Sequence, residues 1–593
     1  MAKHNDTVQK TGGSGRGSLQ RLILYMKPWW GLLILAAILA FSGSFLNVMA
    51  PDHMKNIVNE IQTGLSGHLD LDQIKRETVI IVVLISGGLV CNLIQSFISP
   101  TISQHTSRKL RSEINEKTNR IPLSFFDTTP EGEVLSTMTN DVDAIATSFG
   151  NTLPSIMVAL TTLFGCIVLM FITDWILALA TIGASFLGLI INMILMQKGM
   201  VFAKQKQDSL GIINTKINEA FRGHLVIKAF GAENEVRESF RESNMILNDS
   251  AVKSQAVSAM IMPVATFIGH LGYVVVCVIG AALVFSGHTR VGTILAFIQY
   301  AQLFNNNLST LAQAMGTIQP AIASSSRIFA FLDREEMADE GTASVDTGRL
   351  KGQVTFEHVK FGYRPNTIIV HDFSCEVKPG QKVAIVGPTG SGKSTLINLL
   401  SRFYELNGGN ILIDGVSIRD MSRENLHNLI SMVLQETWTF EGSIRDNIIY
   451  AKENVTEEQL QKVCDDTGLS VFLKTFPNGV DTLLKEDCGI SAGQKQLITI
   501  ARAMLDDSPI LILDEATSSV DTRTEMIISR AIDKLMAGRT SFVIAHRLST
   551  IKNADIILVL KDGDIIETGN HDELMKQNGF YADLYMSQFD TTA

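Results

Sequence analysis

The residues best suited to chemistry lie in one glycine-rich turn. Its sequence, Gly387-Pro-Thr-Gly-Ser-Gly-Lys-Ser-Thr395, matches the phosphate-binding pattern G-x-x-x-x-G-K-[ST] without a mismatch. The pattern predicts that backbone N–H groups surround phosphate oxygens, that Lys393 reaches the β- and γ-phosphates, and that the Ser394 hydroxyl ligates Mg²⁺. The candidate nucleotide-binding residues of the turn are Gly387, Pro388, Thr389, Gly390, Ser391, Gly392, Lys393, Ser394 and Thr395.

An acidic pair further along the chain could complete this site. The apolar run from Pro509 to Leu513 ends in Asp514-Glu515. The run predicts a buried strand, so Asp514 would emerge at the carboxyl edge of a sheet, where ligands of open α/β sheets bind. There Asp514 would hold Mg²⁺, and Glu515 would polarise an attacking water as a general base. The two motifs together indicate MgATP as substrate.

The turn needs a strand before it and a helix after it. Residues 382–386 (Lys-Val-Ala-Ile-Val) read as a short buried strand, and residues 394–401 as the start of a helix. A glycine-rich turn between such elements aims several backbone N–H groups at one anion. The local pattern therefore predicts an α/β nucleotide-binding domain.

Further motifs occur in the order found in ATP-binding cassette (ABC) proteins, and the chain resembles that family. Phe361-Gly362-Tyr363 is similar to the adenine-stacking A-loop, with Tyr363 as the platform. Gln435 matches the Q-loop residue that touches Mg²⁺ and senses the membrane domain. The run from Asp514 to Asp521 matches the family's acidic strand end and D-loop, and His546 matches the switch histidine that contacts the γ-phosphate. The resemblance implies catalytic roles for Lys393, Gln435, Glu515 and His546, and a magnesium site formed by Ser394, Gln435 and Asp514.

The signature loop departs from the family pattern. The family has Leu-Ser-Gly-Gly-Gln, and this chain has Ile490 followed by Ser491, Ala492, Gly493 and Gln494. In the family this loop closes over the γ-phosphate of an ATP held by the opposite cassette. Ala492 adds a Cβ where the backbone approaches phosphate closely. Two interpretations are open: a functionally weakened signature, or a harmless variant with the smallest possible added side chain.

The first half of the chain contains six long apolar stretches. Each has roughly the length needed to cross a ~30 Å hydrocarbon core as a helix. They are residues 29–50, 79–99, 152–171, 175–196, 256–285 and 292–315. The basic residues concentrate in the connections 101–150 and 197–255, which predicts that both connections, both termini and the cassette are cytoplasmic.

These two connections are too polar for lipid and too long for turns, so we expect helical extensions of the spanning helices. Residues 125–143 are similar to the first intracellular loop of ABC exporters, and residues 219–230 are similar to the second. In the family, short helices at these loop tips dock on the cassettes. Residues 19–28 fit the elbow helix of exporters, although an ordinary helical lead-in explains them equally well.

The sixth apolar stretch carries four amides on one side. Gln299, Gln302, Asn306 and Gln313 fall within about 60° of one another on a helix with 3.6 residues per turn. Amides are costly against lipid, so they either line a substrate pathway or bond to other helices. Asn92, Gln95 and His270 raise the same question in other stretches.

Composition supports this division of the chain. The 593 residues are 46% hydrophobic and carry a net charge of −10, which argues against nucleic-acid binding as a main activity. We expect a polar tail at 1–18, a transmembrane domain at 19–325, a linker at 326–350 and an ATP-binding cassette at 351–588. The fold class is therefore multi-domain: an all-α six-helix transmembrane domain of exporter type, followed by an α/β P-loop cassette.

The resemblance implies an ATPase coupled to efflux of hydrophobic or amphipathic compounds, drug-like molecules or lipids, across the cytoplasmic membrane. One cassette cannot bring its P-loop and its signature to the same ATP, so a second half-transporter subunit is required. A heterodimer is favoured, because exporters of this kind often pair a subunit with the catalytic Glu and an altered signature with one that lacks that Glu. The alternatives are a homodimeric lipid flippase or peptide exporter, or an importer on the same scaffold.

Overall fold

The computed structural model describes residues 15–64, 69–338, 341, 350–364, 367–435, 437–450, 452, 454–485, 490–514, 521–544 and 551–589. The chain divides into two compact units. The first comprises Met1–Asn119 and Glu131–Arg334, and the second comprises Arg120–Pro130 and Glu335–Ala593. Arg120–Pro130 therefore packs with the C-terminal unit although it lies in the first half of the sequence.

The first unit is helical. Most of its mass lies in long helices, with a short 3₁₀ turn at Lys27–Trp29 and π-helical segments at Thr137–Asp141 and Ser148–Thr152. Its helices, with one short helix of the second unit (α4), are α1 (Gly15–Tyr25), α2 (Trp30–Gly64), α3 (Leu71–Arg120), α4 (Leu123–Phe126), α5 (Glu131–Ser136), α6 (Val142–Thr147), α7 (Leu153–Thr173), α8 (Trp175–Arg222), α9 (His224–Phe230), α10 (Glu233–Phe285) and α11 (Val291–Leu332).

Three of these helices are far longer than a membrane is thick. α3, α8 and α10 have 50, 48 and 53 residues, which at 1.5 Å per residue is roughly 70–80 Å each. They continue without a break from the apolar stretches into the polar connections. The prediction that these connections are helical extensions is confirmed.

All six predicted apolar stretches are helical, but they are not equally apolar. Among the described residues, five helical segments are long and apolar enough to cross a membrane. α11, which holds the sixth stretch, is a continuous helix of 42 residues, and its amides reduce its hydropathy below that of the other five. Large apolar side chains such as Phe97, Phe164 and Ile172 are at least 70% exposed on the single chain, as expected for surfaces that contact hydrocarbon.

Helix ends in the first unit follow local chemistry. Asp174 alone separates α7 from α8, and its carboxylate accepts hydrogen bonds from the N–H groups of Ile176 and Leu177, which caps α8.

A buried ion pair connects two helical segments of the first unit. The carboxylate of Asp141, which is 5% exposed, accepts hydrogen bonds from Arg327 Nε at 2.9 Å and from Ser324 Oγ at 2.8 Å. A buried carboxylate is costly unless it is paired and hydrogen-bonded. These bonds supply that pairing and hold α11 against the π-helical segment before α6.

The second unit is built on sheets. A four-stranded antiparallel sheet has the order β2-β1-β4-β5, a six-stranded sheet has the order β12-β11-β3-β10-β9-β6, and β7 pairs with β8. The strands are β1 (Val354–Phe361), β2 (Val370–Val377), β3 (Lys382–Val386), β4 (Gly408–Ile413), β5 (Val416–Ser417), β6 (Ile430–Val433), β7 (Gly442–Ser443), β8 (Leu483–Leu484), β9 (Ile510–Asp514), β10 (Thr540–Ile544), β11 (Ile556–Lys561) and β12 (Asp564–Gly569).

Helices cover these sheets. Two main apolar clusters fill the unit, one around Phe356, Phe373 and Phe542, and one around Leu497 and Ile528. Besides a 3₁₀ turn at Gly479–Asp481, the helices are α12 (Lys393–Leu400), α13 (Arg423–Asn428), α14 (Ile444–Ile449), α15 (Glu457–Asp466), α16 (Leu469–Leu473), α17 (Ala492–Asp506), α18 (Thr522–Met536), α19 (His571–Gln577) and α20 (Phe580–Phe589).

Candidate nucleotide-binding site

The six-stranded sheet brings the predicted motifs to one edge. Strands β3, β10, β9 and β6 are parallel neighbours, with Val543 opposite Ala384 and Ile544 opposite Asp514. The glycine-rich turn follows β3, Asp514 ends β9, and Gln435 lies two residues after β6. Because parallel strands end at the same edge, the turn, the carboxylate and the amide lie along one side of the sheet.

The conformation of the turn depends on its glycines. Gly390 has φ +85° and Gly392 has φ +97°, values that disfavour any residue with a Cβ. A Cβ added at Gly390 would meet no atom within 4 Å, so the turn is open above this residue. The hydroxyl of Ser391 is buried and has no hydrogen-bond partner among the described residues. This pairing of an open cradle and a buried hydroxyl fits a phosphate group.

Lys393 lies at the mouth of the turn. Its Nζ donates to the carbonyl oxygens of Gly387 at 2.8 Å and Pro388 at 2.9 Å. Burial lowers the pKa of Lys393, and the Asp514 carboxylate acts in the opposite direction. This interaction links the acidic end of β9 to the P-loop. The site therefore holds a cation suited to phosphate oxygens and a carboxylate suited to a hard metal ion.

Tyr363 lies beside the P-loop helix. Its hydroxyl is 3.3 Å from Thr395 Oγ1, and the residue is 44% exposed. The rings of Phe361 and Tyr404 each meet it edge to face at 5.0 Å. A cavity of about 780 Å³ adjoins these rings, which is within the usual size of a small-molecule site. The prediction that Tyr363 is an adenine platform fits this placement and stays a prediction.

Sequence reasoning missed Tyr404. Its hydroxyl donates to Asp127 Oδ2 at 2.8 Å, within the C-terminal unit. Burial, followed by the Asp127 carboxylate, raises the pKa of Tyr404. Tyr404 therefore contacts both Tyr363 and the Arg120–Pro130 segment. The available signal was an aromatic residue soon after the P-loop helix, but no local pattern pairs it with Asp127.

The signature loop forms the N-terminus of α17. Ser491 is its N-cap: Ser491 Oγ accepts from the N–H of Gln494, and Gln494 Oε1 accepts from the N–H of Ser491. Ala492 is the first helical residue and is exposed, and Gly493 is buried. The added methyl group therefore lies on the outer surface of this helix end, and the Ser491 cap beside it is intact.

The remaining predicted residues fall into three groups. Asp521 caps α18 by accepting from the N–H groups of Arg523 and Thr524; these bonds, with that to Thr524 first, lower its pKa. Ser394 and Gln435 are exposed. Glu515 and His546 lie outside the described residues.

The amides of the membrane unit do not share one environment. On α11, Gln302, Asn306 and Gln313 are exposed on the single chain and Gln299 is half-buried. Elsewhere, Gln95 is buried, Asn92 is half-buried and His270 is exposed. Sequence reasoning missed Asn192, which lies in the apolar part of α8 and has a buried side-chain oxygen; an amide within an apolar stretch was the available signal.

The fold and the site define an ATP-dependent membrane transporter with one helical membrane domain and one cassette. Residues 33–308 match the family model of the ABC transporter transmembrane region, and residues 370–518 match the ABC transporter model. The chain belongs to the ABC transporter family, as an exporter-type half-transporter whose ATPase activity is coupled to transport. It is a multi-pass membrane protein and works as part of a dimer.

Three curated members of this family are similar to the chain over most of its length. It is 43% identical to the fatty acid ABC transporter ATP-binding/permease protein of Mycobacterium bovis, over 81% of this chain and 76% of that protein. It is 36% identical to the uncharacterized ABC transporter ATP-binding protein YfiC of Bacillus subtilis, over 97% and 95%. It is 34% identical to the ATP-dependent lipid A-core flippase of Syntrophus aciditrophicus, over 86% and 85%.

Proposed function

We propose that this half-transporter uses ATP to expel amphipathic, lipid-like molecules from the cytoplasmic membrane, with long-chain fatty acids as the first class to test. The observation that carries the proposal is a P-loop with an open cradle and a buried, unpartnered Ser391 hydroxyl, on a chain whose other half is membrane helices. The cargo class is supported by the names of two relatives, a fatty acid transporter and a lipid A-core flippase.

The chain's own residues would bind and cleave MgATP. Tyr363 stacks on the adenine, and Lys393 and the P-loop amides hold the β- and γ-phosphates. Ser394, Asp514 and Gln435 supply oxygen ligands to Mg²⁺, which neutralises phosphate charge when bound. Two further roles are proposed for residues outside the described part: Glu515 polarises the attacking water and His546 contacts the γ-phosphate.

A second subunit would complete each site. Ser491 Oγ accepts a hydrogen bond from the Gln494 N–H, so its O–H is available to donate to a γ-phosphate on the partner. The Ala492 methyl group lies on the same exposed helix end and would hinder close approach of that phosphate. This asymmetry favours a heterodimer in which the P-loop and Glu515 of this chain form the hydrolysing site. A homodimer is the alternative.

Two short helices would transmit closure of the cassettes. α4 packs with its own cassette, since Arg120–Pro130 belongs to the C-terminal unit. α9 exposes Leu225 and Phe230, each more than 80% accessible, and such apolar side chains suit docking on a partner. The positive-inside rule supports cytoplasmic loops, termini and cassette. The α11 amides Gln302, Asn306 and Gln313, with half-buried Gln299, would line the cargo pathway.

ATPase assays in lipid nanodiscs test this proposal. The wild-type protein, alone or with its partner subunit, should hydrolyse ATP faster with oleic acid than with a permanently charged lipophilic cation. Glu515→Gln should reduce turnover at least about 100-fold and retain ATP binding, because a general base contributes on the order of 10²–10⁴ in rate. Glu458→Gln, an exposed acid in the first turn of α15, is the matched control and should behave as wild type.

Two results would contradict the proposal. Retained turnover in Glu515→Gln would remove the catalytic assignment. Intact basal ATPase with no response to any fatty acid would remove the cargo class and leave the ATPase assignment in place.

A further inference from the structure

The segment that follows α12 contacts the loop of Tyr363 at two places. Asn407 Oδ1 accepts a hydrogen bond from the N–H of Gly362 at 2.8 Å, and the N–H of Asn407 donates to the Lys360 carbonyl at 3.0 Å. Three residues before Asn407, the ring of Tyr404 lies edge to face with the ring of Tyr363, with centroids 5.0 Å apart and an interplanar angle of 89°. The segment therefore holds both the backbone and the side chain of this loop.

The contact with Tyr404 connects an exposed ring to the apolar core. Tyr363 is 44% exposed, whereas Phe361 is 4% exposed and belongs to the apolar cluster around Phe356. Tyr404 packs against the same cluster, and its ring centroid is 5.7 Å from that of Phe361. Tyr404 is therefore fixed by the core on one side and meets the candidate adenine platform on the other.

Holding an exposed aromatic ring affects how well it binds a base. A side chain that is free to change its rotamer loses that freedom when a ligand stacks on it, and this loss weakens binding. A ring that is already restrained by its neighbours loses less. Edge-to-face contacts also favour one relative orientation of two rings. The packing of Tyr404 against Tyr363 should therefore increase the affinity for a stacked base.

The hydroxyl of Tyr404 has a smaller part in this arrangement. It donates to Asp127 Oδ2 at 2.8 Å, and Asp127 is exposed. Water can replace an exposed hydrogen bond at little net cost. The ring of Tyr404, and not its hydroxyl, is therefore expected to carry most of the effect on Tyr363.

We propose that Tyr404 is a positioning residue for the nucleotide base: its ring holds Tyr363 in the orientation that stacks on adenine. Tyr404 does not touch the nucleotide and changes its affinity only through Tyr363. This inference rests on the proposed role of Tyr363 as the adenine platform, and it adds a residue that sets how strongly this platform binds.

Two probes separate the base from the phosphates. ADP carries both, inorganic pyrophosphate carries phosphates alone, and neither is a substrate of the proposed ATPase. The affinity of the full-length protein for each probe, with Mg²⁺, is measured by displacement of a fluorescent ATP analogue. Tyr404→Leu should weaken ADP binding about two- to tenfold, as the loss of one aromatic pair allows. It should leave pyrophosphate binding unchanged, because the P-loop is intact.

Two further variants identify the ring as the cause. Tyr404→Phe keeps the ring and loses the bond to Asp127, so its ADP affinity should stay within about twofold of wild type. Phe403→Leu is the matched control, since it removes the neighbouring ring, which meets His427 at 5.8 Å. This control should keep the wild-type ratio of ADP to pyrophosphate affinity.

A double variant tests whether Tyr404 acts through Tyr363. Tyr363→Leu should weaken ADP binding at least about fivefold, as the loss of one stacked base allows. Adding Tyr404→Leu to this variant should cause no further loss, because the ring that Tyr404 positions is already absent.

The outcomes separate this inference from the proposed function. Wild-type ADP affinity in Tyr404→Leu, a loss that adds fully to that of Tyr363→Leu, or an equal loss for pyrophosphate would overturn the positioning role and leave the platform standing. Wild-type ADP affinity in Tyr363→Leu would overturn the platform and this inference together. If Tyr404→Leu does not fold, Tyr404→Met removes the same ring with a more adaptable side chain, and the same outcomes apply to it.

Discussion

In the signature loop, Ala492 stands where the family pattern Leu-Ser-Gly-Gly-Gln has a glycine. Its methyl group is exposed on the first turn of α17, and the Ser491 cap beneath it is intact. The local fold therefore tolerates the alanine, and in the proposed dimer any cost falls on the phosphate that approaches this helix end from the partner cassette. The consequence belongs to the dimer and not to the isolated chain.

Ala492→Gly tests that consequence. In the dimer, the glycine should lower severalfold the ATP concentration that half-saturates the site formed with the partner's P-loop, because it restores close backbone approach to phosphate. The maximal rate should change little, since the proposed hydrolysing site uses this chain's own P-loop and Glu515. Equilibrium ATP-binding measurements on the wild-type and variant dimers check this. Identical ATP affinity would identify the alanine as a harmless variant and would remove the main argument for a heterodimer.

Two cysteines give a second prediction at this scale. Burial raises the pKa of Cys375 and Cys464 to about 11 each. At pH 8 only about one molecule in a thousand carries a thiolate at either position, and the thiolate is the reactive form. Iodoacetamide should therefore label both residues slowly in the native protein and rapidly after unfolding in detergent, as read by mass spectrometry. Equal labelling rates would contradict their burial.

At the scale of elements, an ion pair fastens α11 to the π-helical segment at Thr137–Asp141. The Asp141 side chain is 7% exposed and that of Arg327 is 56% exposed. Removing one partner therefore has a different consequence from removing the other. Without Arg327 a carboxylate stays buried and poorly paired, whereas without the Asp141 charge the guanidinium can turn to water.

Arg327→Leu should accordingly destabilise the protein more than Asp141→Asn does. We expect a loss of about 1–3 kcal/mol for the first, the usual cost of an unsatisfied buried polar group, and a smaller loss for the second. Thermal unfolding in detergent measures both, and the double variant should recover part of the loss. Equal destabilisation by the two single variants would contradict this asymmetry.

The elements also differ in how far the sequence predicts them. β3, α12 and β9 follow from local patterns, because a P-loop and an apolar run ending in an acid specify their own backbone. The contact between Tyr404 and Asp127 joins residues 277 positions apart, and the burial of the Asn192 side-chain oxygen requires the packing of neighbouring helices. No local signal encodes such contacts, so the sequence offers only an aromatic residue and a lone amide. The proposed roles of Glu515 and His546 remain predictions.

At the scale of the whole molecule, the chain has one match to the transmembrane-region model and one match to the cassette model. The curated relatives it matches over most of their length include a fatty acid transporter and a lipid A-core flippase. The proposed function therefore needs a dimer that couples hydrolysis at the P-loop to movement of a lipid-like molecule. The Arg120–Pro130 segment packs with the cassette although it lies between membrane helices in sequence.

Transport itself is the most direct test of this account. Inside-out vesicles that contain the dimer would receive a fluorescent long-chain fatty acid with MgATP, and the dye retained inside would be followed over time. We expect ATP-dependent accumulation with the wild-type chain and none with Glu515→Gln, while Glu458→Gln behaves as wild type. Accumulation that is equal with and without ATP, or that persists in Glu515→Gln, would contradict it.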